Sequence, residues 1–103
     1  MKNIFEECVG FQWDKGNSEK NWLKHKVLKF ECEQVFFNKP MIVSDAKKIS
    51  DKEKRWYILG ITDLGRLLFI VFTIRNNLVR VISARDMNKK EREKYNERIK
   101  KDT

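Results

Sequence analysis

One histidine, His25, and two cysteines, Cys8 and Cys32, are the whole supply of imidazole and thiolate metal ligands in this 103-residue sequence. They show no Cys-x-x-Cys spacing and no cluster with acidic residues at ligand spacing. Neither a structural metal site nor a disulfide framework is expected, and reduced thiols fit better. Cys32 lies in a helical apolar pattern and is expected to pack as a small hydrophobe. Glycine is scarce as well, at four residues, and none of the four falls in a phosphate-cradling loop motif. The longest apolar run, Leu67 to Phe72, is too short to span a bilayer. The opening MKNIFEECVG lacks the apolar stretch of a signal peptide. The expected location is therefore the cytoplasm, with no membrane partner. Any catalysis is expected to need no metal and no cofactor, and to be carried by Arg, Lys, His, Glu, Tyr or Ser.

What the sequence holds in excess is positive charge. Lys and Arg total 23 against 15 Asp and Glu, a formal charge of +8. Such a balance on one small domain, residues 1–103, points to anionic partners: RNA, DNA or an acidic protein. Charged residues make up 37% and mean hydropathy is −0.66. Yet 41% of the chain is hydrophobic and clustered in runs, which indicates a packed globule rather than disorder.

The periodicity predicts an α+β order. A short extended lead-in at Phe11–Asp14 is broken at Gly16 and Asn17, and Asn17 or Ser18 caps a first helix over residues 18–25. A second helix runs from Lys29 to Phe37, with Phe30, Val35 and Phe37 buriable. It ends before Pro40, which cannot continue a helix. A strand at Met41–Ser44 precedes a polar stretch, Asp45–Lys54, where order is least expected. Three strands follow, Arg55–Ile61, Arg66–Arg75 and Leu78–Arg85. They are joined by a turn with Gly65 left-handed and by Asn76-Asn77 in a two-residue hairpin turn. Asn88 with Glu91 three residues later starts a last helix, Lys89 to Lys101. The helices are expected to pack on an antiparallel sheet.

With a two-residue loop at Asn76-Asn77, Arg75 faces Leu78, Thr73 faces Arg80, Val71 faces Ile82 and Phe69 faces Ala84. Arg75 and Arg80 then share a face as diagonal neighbours. Arg85 falls at the end of the opposite, more apolar face. Two adjacent guanidiniums call for an anion between them, either a carboxylate of the protein or a phosphate from outside, and the planar fork of Arg suits both. Arg55 can join them from the neighbouring strand. His25 suits a general base, a phosphate ligand or a helix-end contact, and Glu53 is the other candidate base, with a Lys or Arg as proton donor. Lys89, Lys90, Arg92 and the other basic residues of the last helix are either solvated or turned to nucleic acid. Tyr95 and Ile99 form a packing pair at helical spacing. Trp13, Trp22 and Trp56 are able to stack bases, but Trp13 and Trp22 are expected instead to staple the N-terminal helix to the sheet.

Four segments in order carry a resemblance. They are Trp13, Asp14, Asn21, Lys24, His25 and Val27; Val35 to Pro40; KRWYILG at Lys54–Gly60; and GRLLFIVFTIRNNLVRVISARDMNKKEREKY at Gly65–Tyr95. Together they resemble the BrnT toxins of bacterial type II toxin–antitoxin pairs, over about residues 11–98. The resemblance implies a RelE-like fold and a ribonuclease that halts translation. It also implies a BrnA-type antitoxin with a ribbon-helix-helix domain, a toxin–antitoxin heterotetramer, and co-repression of the operon with DNA bound through the antitoxin. By matching position, Lys24, His25, Arg55, Arg80, Ser83, Arg85, Glu91 and Tyr95 are the signature polar residues. The expected catalytic set is His25, Arg55, Arg75, Arg80 and Arg85. Lys24, Ser83, Lys89, Lys90, Arg92 and Tyr95 are expected at the substrate. A non-catalytic module that binds RNA or the antitoxin through the same basic face is the alternative. The sequence departs from the family pattern at Lys26 and Asn76, where glycine is frequent.

Overall fold

The computed structural model describes residues 3–46 and 53–102. The central part of the expected polar stretch, residues 47–52, lies outside the described residues. The elements in order are β1 (Gly10–Phe11), α1 (Lys15–His25), α2 (Lys29–Phe37), β2 (Ile42–Asp45), β3 (Trp56–Ile61), β4 (Leu67–Arg75), β5 (Leu78–Asp86) and α3 (Lys89–Asp102). The five strands form one sheet in the order β1-β5-β4-β3-β2. Four strands run antiparallel, as expected. The lead-in strand instead lies parallel to β5, pairing Gly10 with Leu78 and Phe11 with Val79.

Alternation along the strands gives the sheet two different faces. Ile58, Leu68, Ile70, Phe72, Val79, Val81 and Ala84 point to one side and pack with Val27, Cys32 and Val35 from the α1–α2 turn and α2. Cys32 is buried there, and burial pushes its thiol up to about 12. Gly60 sits where α2 comes closest, since a Cβ on it would lie 2.5 Å from Val35 Cγ1. The opposite face carries Leu59, which packs with Met87 and with Tyr95 from α3.

Three local expectations are corrected. First, α1 starts earlier than expected and runs through Gly16 and Asn17. Asp14 is the cap: its carboxylate accepts from the Asn17 amide while the Asn17 side chain accepts from the Asp14 amide, both at 2.8 Å. Asn17 is thus the third residue of a capping box and not the cap. Second, Phe30 and Phe37 are 54% and 75% exposed, and the buried stripe of α2 is Cys32 and Val35. Third, Trp22 is exposed, with Lys26 Nζ 5.2 Å from its ring centre, so it staples nothing to the sheet. Trp13 does act as a staple, donating from its indole to Glu33 of α2 at 2.8 Å.

The hairpin turn is as expected: Asn76 and Asn77 both have positive φ, 51° and 63°, and Arg75 pairs with Leu78 and Thr73 with Arg80. Beyond that point the register changes. Phe72 pairs with Val81 but Val71 pairs with Ser83, so Ile82 is the extra residue of a β-bulge. The bulge turns Ala84 into the core and swings Arg85 to the face opposite the one expected, where it pairs with Phe69.

Among the described residues, β1 covers only Leu78 and Val79 of β5, and α1 serves the remaining edge. Asn17 donates to the Val81 carbonyl at 3.0 Å and Asn21 accepts from the Ala84 amide at 2.9 Å. Both asparagines are buried. They satisfy backbone groups that would otherwise be orphaned next to the helix. This lateral attachment places the N-terminus of α1 beside Arg80.

Candidate functional site

Arg80 leaves β5 at that unpaired edge and reaches the α1 cap, pairing with Asp14 at 2.8 Å. Arg75, at the end of β4, makes a two-pronged pair with Glu53, both contacts at 2.9 Å. Arg55, just before β3, and Lys20, one turn after Gly16 on the same side of α1, complete the walls. Together these groups line a cleft of about 380 Å³. Four cations thus face two carboxylates, Asp14 and Glu53, in one open hollow. The α1 N-terminus adds the positive end of its dipole.

The carboxylates are held ionised. The Arg75 guanidinium keeps Glu53 below the usual glutamate range, with Arg55 and Arg80 adding to the effect. The Asn17 amide, then Arg80, does the same for Asp14. Glu53 in turn raises Arg75. In each pair one side chain is about half exposed, Arg75 at 46% and Asp14 at 51%, while its partner is less so, Glu53 at 31% and Arg80 at 20%, and ion pairs open to water on one side are readily exchanged. An incoming RNA phosphodiester carries one negative charge on two non-bridging oxygens, as a carboxylate does, and the planar fork of Arg suits it equally, so it can take the place of either carboxylate.

The expected catalytic set is therefore divided by the fold. Arg55, Arg75 and Arg80 meet in the cleft. Arg85 stands apart, paired with Glu91 at 2.8 and 3.0 Å and stacked 4.1 Å over the Phe69 ring. His25 lies at the far end of α1, about 14 Å along the helix from Gly16. There its carbonyl accepts from Arg66, whose guanidinium also binds Asp86 and Glu31. Lys24 is exposed beside it.

Of the residues expected at the substrate, Ser83 is half-buried on the outer face of β5, and Lys89, Lys90 and Arg92 are exposed on the first turns of α3. Tyr95 has no exposed surface, and its hydroxyl donates to the Pro40 carbonyl at 2.7 Å. It packs α3 onto the sheet. Trp56 stacks on Phe72, with ring centres 5.8 Å apart, at the edge of the core.

Three residues of the cleft and its surroundings were missed from the sequence. Asp14 is visible only as the second half of the Trp-Asp pair, and its part in the cleft depends on the cap. Lys20 has no signal beyond its four-residue spacing from Gly16. Tyr57 was legible, because strand alternation puts it on the same face as Arg55. It stacks on Phe69, ring centres 5.4 Å apart, and accepts from Lys94 Nζ at 3.3 Å. Hydrogen bonds with Ser44, then Lys94, lower its hydroxyl pKa. Tyr57, Leu59 and Phe69 floor a second hollow of about 340 Å³, walled by Asn88, Lys90, Glu91 and Lys94.

A basic α+β sheet with a guanidinium-lined cleft at its edge defines a protein made to hold an anionic chain. A family model described as "Ribonuclease toxin, BrnT, of type II toxin-antitoxin system" matches residues 13–91. The chain belongs to this family, which makes it a ribonuclease toxin with RNA as substrate and an antitoxin as partner. The match spans the cap, the cleft strands and Glu91. No curated protein matches the chain. No helix among the described residues is long and apolar enough to cross a membrane.

Proposed function

We propose that the protein is a metal-independent endoribonuclease of RelE-like architecture whose reaction takes place in the Arg55–Arg75–Arg80 cleft. The observation that carries this reading is the convergence of those three guanidiniums and Lys20 on one hollow containing Glu53. The chemistry needs a base, an acid and cations around one phosphorus. Glu53 takes the proton of a ribose 2′-OH, the freed oxygen bonds to the adjacent phosphorus, and the bond from phosphorus to the 5′-oxygen breaks. Lys20 protonates the leaving oxygen. The products are a 2′,3′-cyclic phosphate and a 5′-OH. Arg75 and Arg80, released from their carboxylates, hold the doubly charged phosphorane, where preorganised donors contribute most. His25 is too far along α1 to serve as the base at this cleft, and Glu53 takes that part.

Purified protein is expected to cut single-stranded RNA in the presence of EDTA, and loss of cutting with chelator would reject the metal-free scheme. Arg80→Ala is expected to lower the cleavage rate about a hundredfold or more, from the ~3 kcal/mol typical of one lost donor, and to relieve growth arrest in cells. An Arg80→Ala protein that stays fully toxic places the reaction elsewhere.

The antitoxin proposed here is of the BrnA type, with a ribbon-helix-helix domain that binds operator DNA and carries the toxin as co-repressor in a heterotetramer. Family membership and the +8 charge support an acidic docking segment on that partner. Co-expression with the adjacent short reading frame, followed by mass measurement of the complex, checks it.

A further inference from the structure

The hollow over Tyr57 and Phe69 has no part in the phosphate chemistry, yet it adjoins the cleft. Arg55 and Tyr57 are two residues apart on the same side of an extended chain, about 7 Å. That is close to the reach from a phosphate to a base of the same or the next nucleotide.

The hollow combines three features that an RNA base recognises. It is aromatic: the Tyr57 and Phe69 rings stack on each other, 5.4 Å apart with 28° between their planes, and a base would meet the outer face of Tyr57. Its cations are Lys90 and Lys94 in the wall, with Lys94 Nζ 5.7 Å from the Tyr57 ring centre, while Arg85, paired with Glu91, covers the Phe69 ring. Asn88 in the wall caps α3 through Oδ1, which accepts from the Glu91 amide at 2.8 Å, and its side-chain NH2 is the group that can donate to a base edge. Aromatic rings and guanidinium planes are the usual supports for unpaired RNA bases.

The geometry points to Tyr57 as a base-stacking residue that seats a nucleobase of single-stranded RNA next to the cleaved phosphate, with Lys90 and Lys94 receiving the following phosphate. This rests on the cleft being where RNA is cut, and adds which side of the cleft the strand takes. The strand leaves along the outer face of β3 toward the start of α3, and not along α1 toward His25. Tyr57 contacts a base, so it sets substrate position and affinity while the arginines do the chemistry.

The test is a cycle of protein and RNA changes, read by binding and by cleavage. Wild type, Tyr57→Phe and Tyr57→Leu are each titrated with a short single-stranded RNA and with a set in which each nucleotide in turn is abasic. Expected is one position where base removal weakens binding to wild type about tenfold. Tyr57→Phe stays within about twofold of wild type, whereas Tyr57→Leu loses about tenfold on intact RNA and nothing further at the abasic position. In cleavage, Tyr57→Leu raises KM much more than it lowers kcat. Tyr57→Leu that folds and binds intact RNA as wild type does overturns the proposal. So does an abasic series without a sensitive position, which needs no variant at all. RNA that is bound with this Tyr57 dependence but never cut leaves the stacking site standing and removes the nuclease assignment of the cleft. If Tyr57→Leu keeps its RNA affinity and instead fails to co-purify with the co-expressed antitoxin, the shelf belongs to the antitoxin and the inference is wrong.

Discussion

A single residue sits in the one conformation its type dislikes. Lys26 ends α1 with φ 55° and ψ 42°, the left-handed region, and its amide donates to the Asn21 and Trp22 carbonyls. The family resemblance implies glycine at this place, and a residue without Cβ adopts these angles freely. A side chain there costs ~1–2 kcal/mol, of which up to ~1 is returned because lysine has less freedom than glycine in the unfolded chain. Lys26→Gly is therefore expected to stabilise the protein by about 0.5–1 kcal/mol in urea unfolding, with cleavage unchanged. Asn76, the other departure from that pattern, also has positive φ, and asparagine tolerates this where lysine does not. Both departures were visible in the sequence. Their consequence was not, because a sequence shows which residue is present but not which angle the neighbours impose.

At the scale of elements, two joints decide where side chains go. One is lateral: Asn17 and Asn21 hold α1 against the β5 edge, and the α1 cap thereby reaches Arg80. The other is Arg85 with Glu91, which ties the end of β5 to the first turn of α3. Burial works against the Glu91 charge. The Arg85 pair and the Asn88 amide outweigh it and hold the carboxyl below its ordinary value of 4.5. A carboxylate lowered in the fold contributes stability above its unfolded value and loses it as pH falls through the folded one. Glu91→Gln is therefore expected to lower Tm at pH 7, and the gap from wild type should close as pH drops below 4.5. A gap that stays constant with pH would mean that the pair contributes packing and no charge. The helix start at Asn88 and the hairpin at Asn76-Asn77 were legible because each is set by side chains within a few residues. The bulge at Ile82 was not. No turn residue marks it, and it shows only in the pairing of β4 with β5.

For the whole molecule, the charge balance and the fold act together. The +8 excess draws an anionic polymer from any side, whereas the proposed path over the cleft and the Tyr57 hollow is a single track. If single-stranded RNA lies along it with about three phosphates engaged, the logarithm of the binding constant should fall with the logarithm of salt at a slope near −2. Arg80→Ala should reduce that slope by about 0.7, the share of one phosphate contact on a single strand. An unchanged slope would place the bound strand on the exposed lysines of α3 and away from the cleft.

By itself the sequence determined the kinds of element and their order, the hairpin between β4 and β5, the positive charge and the kinship with ribonuclease toxins. Each of these depends on composition or on residues a few positions apart. Strand alternation also put Arg75 and Arg80 on one face with Arg55 beside them. Only the tertiary structure brought Lys20 to them from a helix, supplied Asp14 and Glu53 as their counter-charges, and sent Arg85 and His25 elsewhere. The physical reason is that strand register, a one-residue bulge and a helix docked on an open edge are set by long-range packing. A shift of one residue in any of them moves a charge to the other side of the sheet.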